Sequence, residues 1–101
     1  MKTYAIVEIT VTDREWVSEY LVNVTRMVHE HGGRYLSRTS KIEQTEGNGE
    51  VPQVVAIIEF PSQEAANEFY TSEAYQPYLE RRKNGSNSRI LMVAGEDFAQ
   101  R

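Results

Sequence analysis

The chain has 101 residues, 40% of them hydrophobic and none of them cysteine, and fifteen acidic against eleven basic side chains leave a formal charge of −4. That length predicts a single domain over residues 1–101, and the missing thiols exclude a disulfide scaffold, a cysteine nucleophile, iron–sulfur ligation and every thiolate zinc site. Net negative charge with scattered Lys and Arg removes the attraction on which non-specific nucleic-acid binding depends. The longest apolar run, Val54 to Ile58, falls far short of the about 20 residues that cross a bilayer, so neither nucleic acid nor membrane is an expected partner.

The N-terminus leads directly into a strand pattern with no apolar signal core, which predicts a cytoplasmic protein. From Lys2 to Val11, Tyr4, Ile6, Glu8 and Thr10 alternate with Ala5, Val7, Ile9 and Val11, so one face of this first strand is wholly apolar. Thr12-Asp13-Arg14-Glu15 then has the form of a capping box, in which Thr12 and Glu15 satisfy each other's amides and open a helix. Trp16, Val17, Tyr20, Leu21, Val24, Met27, Val28 and His31 recur at steps of three and four, an apolar helical stripe that ends at Gly32-Gly33.

Arg34 to Glu43 reads as a polar edge strand in which Arg34, Leu36 and Arg38 alternate with Tyr35, Ser37 and Thr39. Gly47-Asn48-Gly49 supplies the positive backbone angles of a hairpin connection. Gln53 to Phe60 is apolar on both sides and belongs inside a sheet. Ser62 is placed to cap a second helix with Ala65, Ala66, Phe69 and Tyr70 on its buried stripe, and Ser72 to cap a third through Tyr75, Tyr78 and Leu79. That helix ends among Arg81, Arg82 and Lys83, whose charges suit a helix C-terminus. A last strand spans Arg89 to Gly95.

The order strand, helix, strand, strand, helix, strand predicts an α+β ferredoxin-like sandwich, a four-stranded antiparallel sheet covered by helices on one face. The first and third strands are central in that topology, and they are the two that are apolar on both sides. The other sheet face, carrying Tyr4 and Ile6, is left uncovered and mostly apolar, which predicts sheet-to-sheet homodimerisation around a shared interior.

The residues Val11-Thr12-Asp13, Tyr20, Gly32-Gly33-Arg34-Tyr35-Leu36, Arg38, Glu46-Gly47, Ile58-Glu59-Phe60-Pro61-Ser62, Ala65-Ala66, Phe69-Tyr70, Ser72-Glu73, Tyr75-Gln76, Arg82 and Gly95 together resemble domain-of-unknown-function family thirteen-thirty. The resemblance covers nearly the whole chain and implies the dimeric α+β barrel fold. Relatives in that superfamily include cofactor-free monooxygenases, haem-degrading enzymes, muconolactone isomerases and non-catalytic members, so it implies no single reaction.

His31 extends the apolar stripe and is the best acid–base candidate, the plainer reading being an imidazole at a helix C-terminus. His29 stands two residues from it, the wrong spacing for two metal ligands on a helix, and no metal or cofactor is expected. Glu59, a carboxylate in a central strand, is either paired with an arginine (Arg34, Arg38 or Arg82) or serves as a base. Arg34, Asp13 and Tyr20 are candidate ligand contacts, the plainer readings of the last two being a helix-initiating residue and a core phenol with one hydrogen-bond partner. Tyr75 and Arg82 match the family's tyrosine and arginine, and a guanidinium at a barrel mouth would anchor an anionic ligand. The expected function is therefore a homodimer whose barrel binds, and in an enzymatic reading transforms, a small, partly apolar, anionic organic molecule. The alternative is a non-catalytic interaction or regulatory module with a filled barrel interior.

Overall fold

Alternating apolar strands and amphipathic helices fold into two layers. The computed structural model describes residues 1–100, in the order β1 (Thr3–Val11), α1 (Val17–Glu30), β2 (Arg34–Thr39), β3 (Val54–Phe60), α2 (Gln63–Thr71), α3 (Gln76–Asn84) and β4 (Ser86–Ala94). The sheet is antiparallel in the order β2-β3-β1-β4, so the two strands that are apolar on both sides are the central ones. This is the expected α+β ferredoxin-like arrangement. Among the described residues no helix is long and apolar enough to cross a membrane.

Ala5 and Val7 of β1 and Ala56, Ile58 and Phe60 of β3 face the helices. They form one core with Val24, Met27 and Val28 of α1, Ala66 and Phe69 of α2, and Tyr75 and Leu79. The other sheet face carries Tyr4, Ile6, Val55, Ile57, Leu91 and Val93, with no layer over them. Leu91 and Val93 are 44% and 42% exposed. Ion pairs bound this apolar field at both ends: Glu8 with Arg89, and Glu59 with Lys2 and Arg34.

Local chemistry departs from the sequence expectation in three places. Thr12 does not cap α1. Its amide and that of Asp13 both donate to the Gly85 carbonyl, at 2.9 and 3.1 Å, which pins this segment to the end of α3. The Asp13 carboxylate instead accepts the Glu15 amide at 3.0 Å, and the helix begins at Val17 without a side-chain cap. Ser72 closes α2 rather than opening α3, since its hydroxyl donates to the Phe69 carbonyl at 2.8 Å. Ser62 does cap α2, accepting the Ala65 amide at 3.0 Å.

In β2 the register shifts between Tyr35 and Ser37. Leu36 is the extra residue of a bulge, so the simple alternation fails there. Tyr35 and Arg38, opposite Ile58 and Ala56, share the helix-facing side, while Arg34 and Ser37 look the other way. The end of α1 follows the expectation closely. Gly32 has φ +78°, and the Gly32 and Gly33 amides donate to the His29 and Val28 carbonyls at 3.0 and 2.9 Å, a Schellman closure.

Candidate functional site

Packing α1 across β1 and β3 leaves an unfilled space between the layers. Ala5, Ala56 and Val7 are small residues at the centre of the sheet, and the helical side chains above them do not reach down to fill the gap. The result is a cavity of about 160 Å³, walled by these residues and by Val24, Val28, Ile58 and Phe69. Exposed Leu21 and Arg38 also line it, so it communicates with solvent. Val11 and Val17 also border a separate open groove of about 350 Å³ with Arg14, Ser18 and Gln53. An engineered void of about 150 Å³ in another protein holds a benzene molecule, so this space has the size of one aromatic ring.

The cavity wall is almost wholly apolar, and two phenols stand in it whose hydroxyls meet each other. The hydroxyls of Tyr20, from α1, and Tyr75, immediately before α3, lie 2.8 Å apart. Their rings are fixed by aromatic neighbours: Tyr20 stands edge-on to Trp16 at 5.1 Å, and Tyr75 leans on Phe69 at 4.5 Å. Tyr75 is fully buried. Burial drives the Tyr20 phenol well above its ordinary range, with Tyr75 adding to the rise and Arg82 opposing it. Tyr20 is consequently a proton-bearing donor at neutral pH, not a base.

Arg82 stands next to this pair and is itself 2% exposed. Its Nη1 donates to Ser88 Oγ at 2.6 Å, while its Nε has no partner. No carboxylate among the described residues pairs with it. A buried guanidinium is charged at any accessible pH, and such charges are normally paired. Here the nearest polar neighbours are hydroxyls.

The family described as "Domain of unknown function (DUF1330)" matches residues 2–96 of the sequence. The chain belongs to the DUF1330 family. Solved structures place its fold: a protein of unknown function from Rhodopseudomonas palustris is 16% identical with a TM-score of 0.79, over 95% of this chain and 83% of that one. SnoaB, a cofactor-independent oxygenase from Streptomyces nogalater, is 11% identical with a TM-score of 0.67, over 95% of this chain and 94% of its own. An antibiotic biosynthesis monooxygenase is 10% identical with a TM-score of 0.60, over 96% and 100%. At these identities the likeness is one of fold. No curated protein matches the sequence.

Within this DUF1330 chain the candidate residues separate into distinct places. Tyr20 and Tyr75 line the cavity, and Arg82 lies next to them behind its wall. Glu59 and Arg34 lie on the opposite, uncovered face, where Glu59 accepts from Lys2 Nζ at 3.0 Å and from Arg34 Nε at 3.3 Å. The Lys2 hydrogen bond holds the Glu59 carboxyl below its usual range, with Arg34 adding to the effect. Neither Arg38 nor Arg82 is its partner. His31 sits at the C-terminal cap of α1, with Nδ1 2.8 Å from the Met27 carbonyl and its ring edge-on to Phe69. A carbonyl only accepts, so Nδ1 carries the proton, and the imidazole does not line the cavity. Asp13 is exposed in the turn before α1. Among the described residues no three His, Cys, Asp or Glu side chains converge.

The cavity within one chain of this DUF1330 fold thus lies between helices and sheet, on the side away from the open face. Two of its lining residues, Tyr35 and Arg38, were not among the expected ligand contacts, although both belong to the family-resemblance residues. The Arg38 guanidinium stacks over the Tyr35 ring at 3.8 Å and donates to Thr25 Oγ1 at 2.8 Å. Strict alternation puts them on opposite faces, and the bulge at Leu36 brings them to one.

Proposed function

We propose that this protein binds a small, flat, mostly apolar organic molecule bearing an acidic oxygen, with the ring in the cavity under α1 and the oxygen against the Tyr20 and Tyr75 hydroxyls. The observation that carries this is the pairing of a ring-sized apolar space with two fixed phenols beside a buried, unpaired Arg82. An apolar space of this size between packed layers forgoes the dispersion contacts that a ligand would restore.

The phenols donate to an anionic or partly anionic oxygen, and Arg82 supplies the opposite charge next to them. The cavity lining contains no carboxylate and no histidine, so it offers no ready general base, and binding is the better supported activity. A reaction here would begin from a substrate that loses its own proton easily, with the tyrosines stabilising the resulting oxyanion. The fold shared with SnoaB and an antibiotic biosynthesis monooxygenase supports a small-molecule role.

The uncovered apolar sheet face supports a homodimer, in which each protomer keeps its own cavity and the two open faces pack together. We place this dimer in the cytoplasm, in keeping with a chain free of cysteine. Calorimetric titration with phenol and toluene tests the ligand assignment. Phenol is expected to bind one per chain and tighter than toluene, and Ala56→Leu, which fills the cavity, is expected to abolish both. Equal affinity for the two, or phenol binding unaffected by Ala56→Leu, would refute it.

A further inference from the structure

A second space lies on the outer side of the same arginine. Where α2 and α3 meet the free edge of β4, a groove of about 250 Å³ is bordered by Asn67, Tyr70, Arg82, Lys83, Ser88 and Arg89, with the apolar Ile90 and Met92 completing it. Three of these side chains are cations, and no aspartate or glutamate lines the groove. Arg89 is shared with Glu8, which its guanidinium meets at 3.2 and 3.4 Å from the open sheet face. Lys83 is exposed and forms no ion pair among the described residues.

The floor of the groove is built, not fortuitous. Arg82 is held by Ser88, which accepts from its Nη1. Ser86, whose hydroxyl donates to the Arg82 carbonyl, lies 3.1 Å from Ser88 Oγ. This ring of contacts fixes the guanidinium while leaving Nε without an acceptor. The groups bordering the groove beside Arg82, the Asn67 amide, the Tyr70 hydroxyl and the Lys83 ammonium, can all donate to an anion. Two cations, Arg82 and Lys83, with neutral donors beside them suit a multiply charged tetrahedral oxyanion better than a single carboxylate.

We propose that the groove between α2, α3 and β4 is an anion site for a phosphate group, held by Lys83 at the rim and by Arg82 beneath it. It opens on a different face from the cavity under α1, with which it shares Ile90, Met92 and the neighbouring Arg82, so its test rests on Lys83, which the cavity does not use. The site takes inorganic phosphate or a phosphate-bearing small molecule, with Asn67 and Tyr70 as further donors.

The test is a titration of the full-length protein with inorganic phosphate at constant ionic strength, followed by amide shifts in two-dimensional NMR, with acetate as a parallel arm. Saturable shifts centred on Asn67, Lys83 and Ser88 are expected, with acetate at least tenfold weaker. Lys83→Gln, an exposed change that leaves the fold intact, is expected to weaken phosphate at least fivefold while sparing phenol binding, and Lys41→Gln on the remote loop to change nothing. Shifts that do not saturate, acetate binding as tightly as phosphate, or Lys83→Gln behaving as wild type would each overturn the proposal.

Discussion

The Tyr20 and Tyr75 hydroxyls lie 2.8 Å apart although the residues are separated by 55 positions in the chain. That contact ties α1 to the start of α3 beside an apolar cavity that both residues line. Tyr75→Phe leaves Tyr20 without this partner in a mostly buried setting, at a cost of about 1 kcal/mol. Thermal unfolding of the variant should show a stability loss of that size, and phenol affinity should fall roughly threefold to tenfold for the lost hydrogen bond.

Arg82 has the opposite balance of stability and function. A buried charge without a counter-ion is costly, and apolar replacement of buried ionic groups is often neutral or stabilising by about 1–4 kcal/mol. Arg82→Met is therefore expected to unfold at the same or higher denaturant concentration than wild type, while losing its preference for phenol over toluene. A marked loss of stability would show that the guanidinium is there for structure.

These two residues also mark the limit of what the sequence discloses. Centrality of β1 and β3 is readable because both strands are apolar on each face, and the Gly32-Gly33 closure because only glycine suits the positive φ at Gly32. Tyr20 reads as a core phenol, but nothing in its spacing identifies Tyr75 as its partner, since that contact exists only after α1 and α3 pack. Arg82 sits within Arg81-Arg82-Lys83, which looks like a solvated helix end, yet the helix turns Arg82 inward while Arg81 reaches Glu19 at the surface at 3.0 Å. The bulge at Leu36 and the pinning of Thr12 to Gly85 are tertiary effects that override local pattern.

Glu59 should make stability depend on acid. Its carboxyl is held below the usual range by the Lys2 hydrogen bond and by Arg34. Its contribution is present at neutral pH, above the unfolded-state value, and is lost as pH falls through the folded-state value. Glu59→Gln is expected to flatten the acid limb of a plot of melting temperature against pH, leaving the alkaline limb unchanged.

Gly33 is held to glycine by space. A Cβ there would come within 2.7 Å of Val28 Cγ1 and 2.8 Å of Phe60 Cε1, both fully buried. Gly33→Ala should cost about 1–3 kcal/mol by overpacking, measurable by urea denaturation.

The open face predicts assembly. Sedimentation at micromolar concentration should give twice the chain mass for wild type and a single chain for Ile57→Lys, which puts a charge in the middle of the apolar field. A monomeric wild type would remove the homodimer from the account.

The most direct measurement is a crystal structure of the protein grown with phenol. The ring should occupy the space between α1 and the sheet, above Ala5 and Ala56, with its oxygen within hydrogen-bond distance of the Tyr20 or Tyr75 hydroxyl. An empty cavity at saturating phenol, or a ring bound with its oxygen turned toward the groove at Arg14, would contradict the assignment.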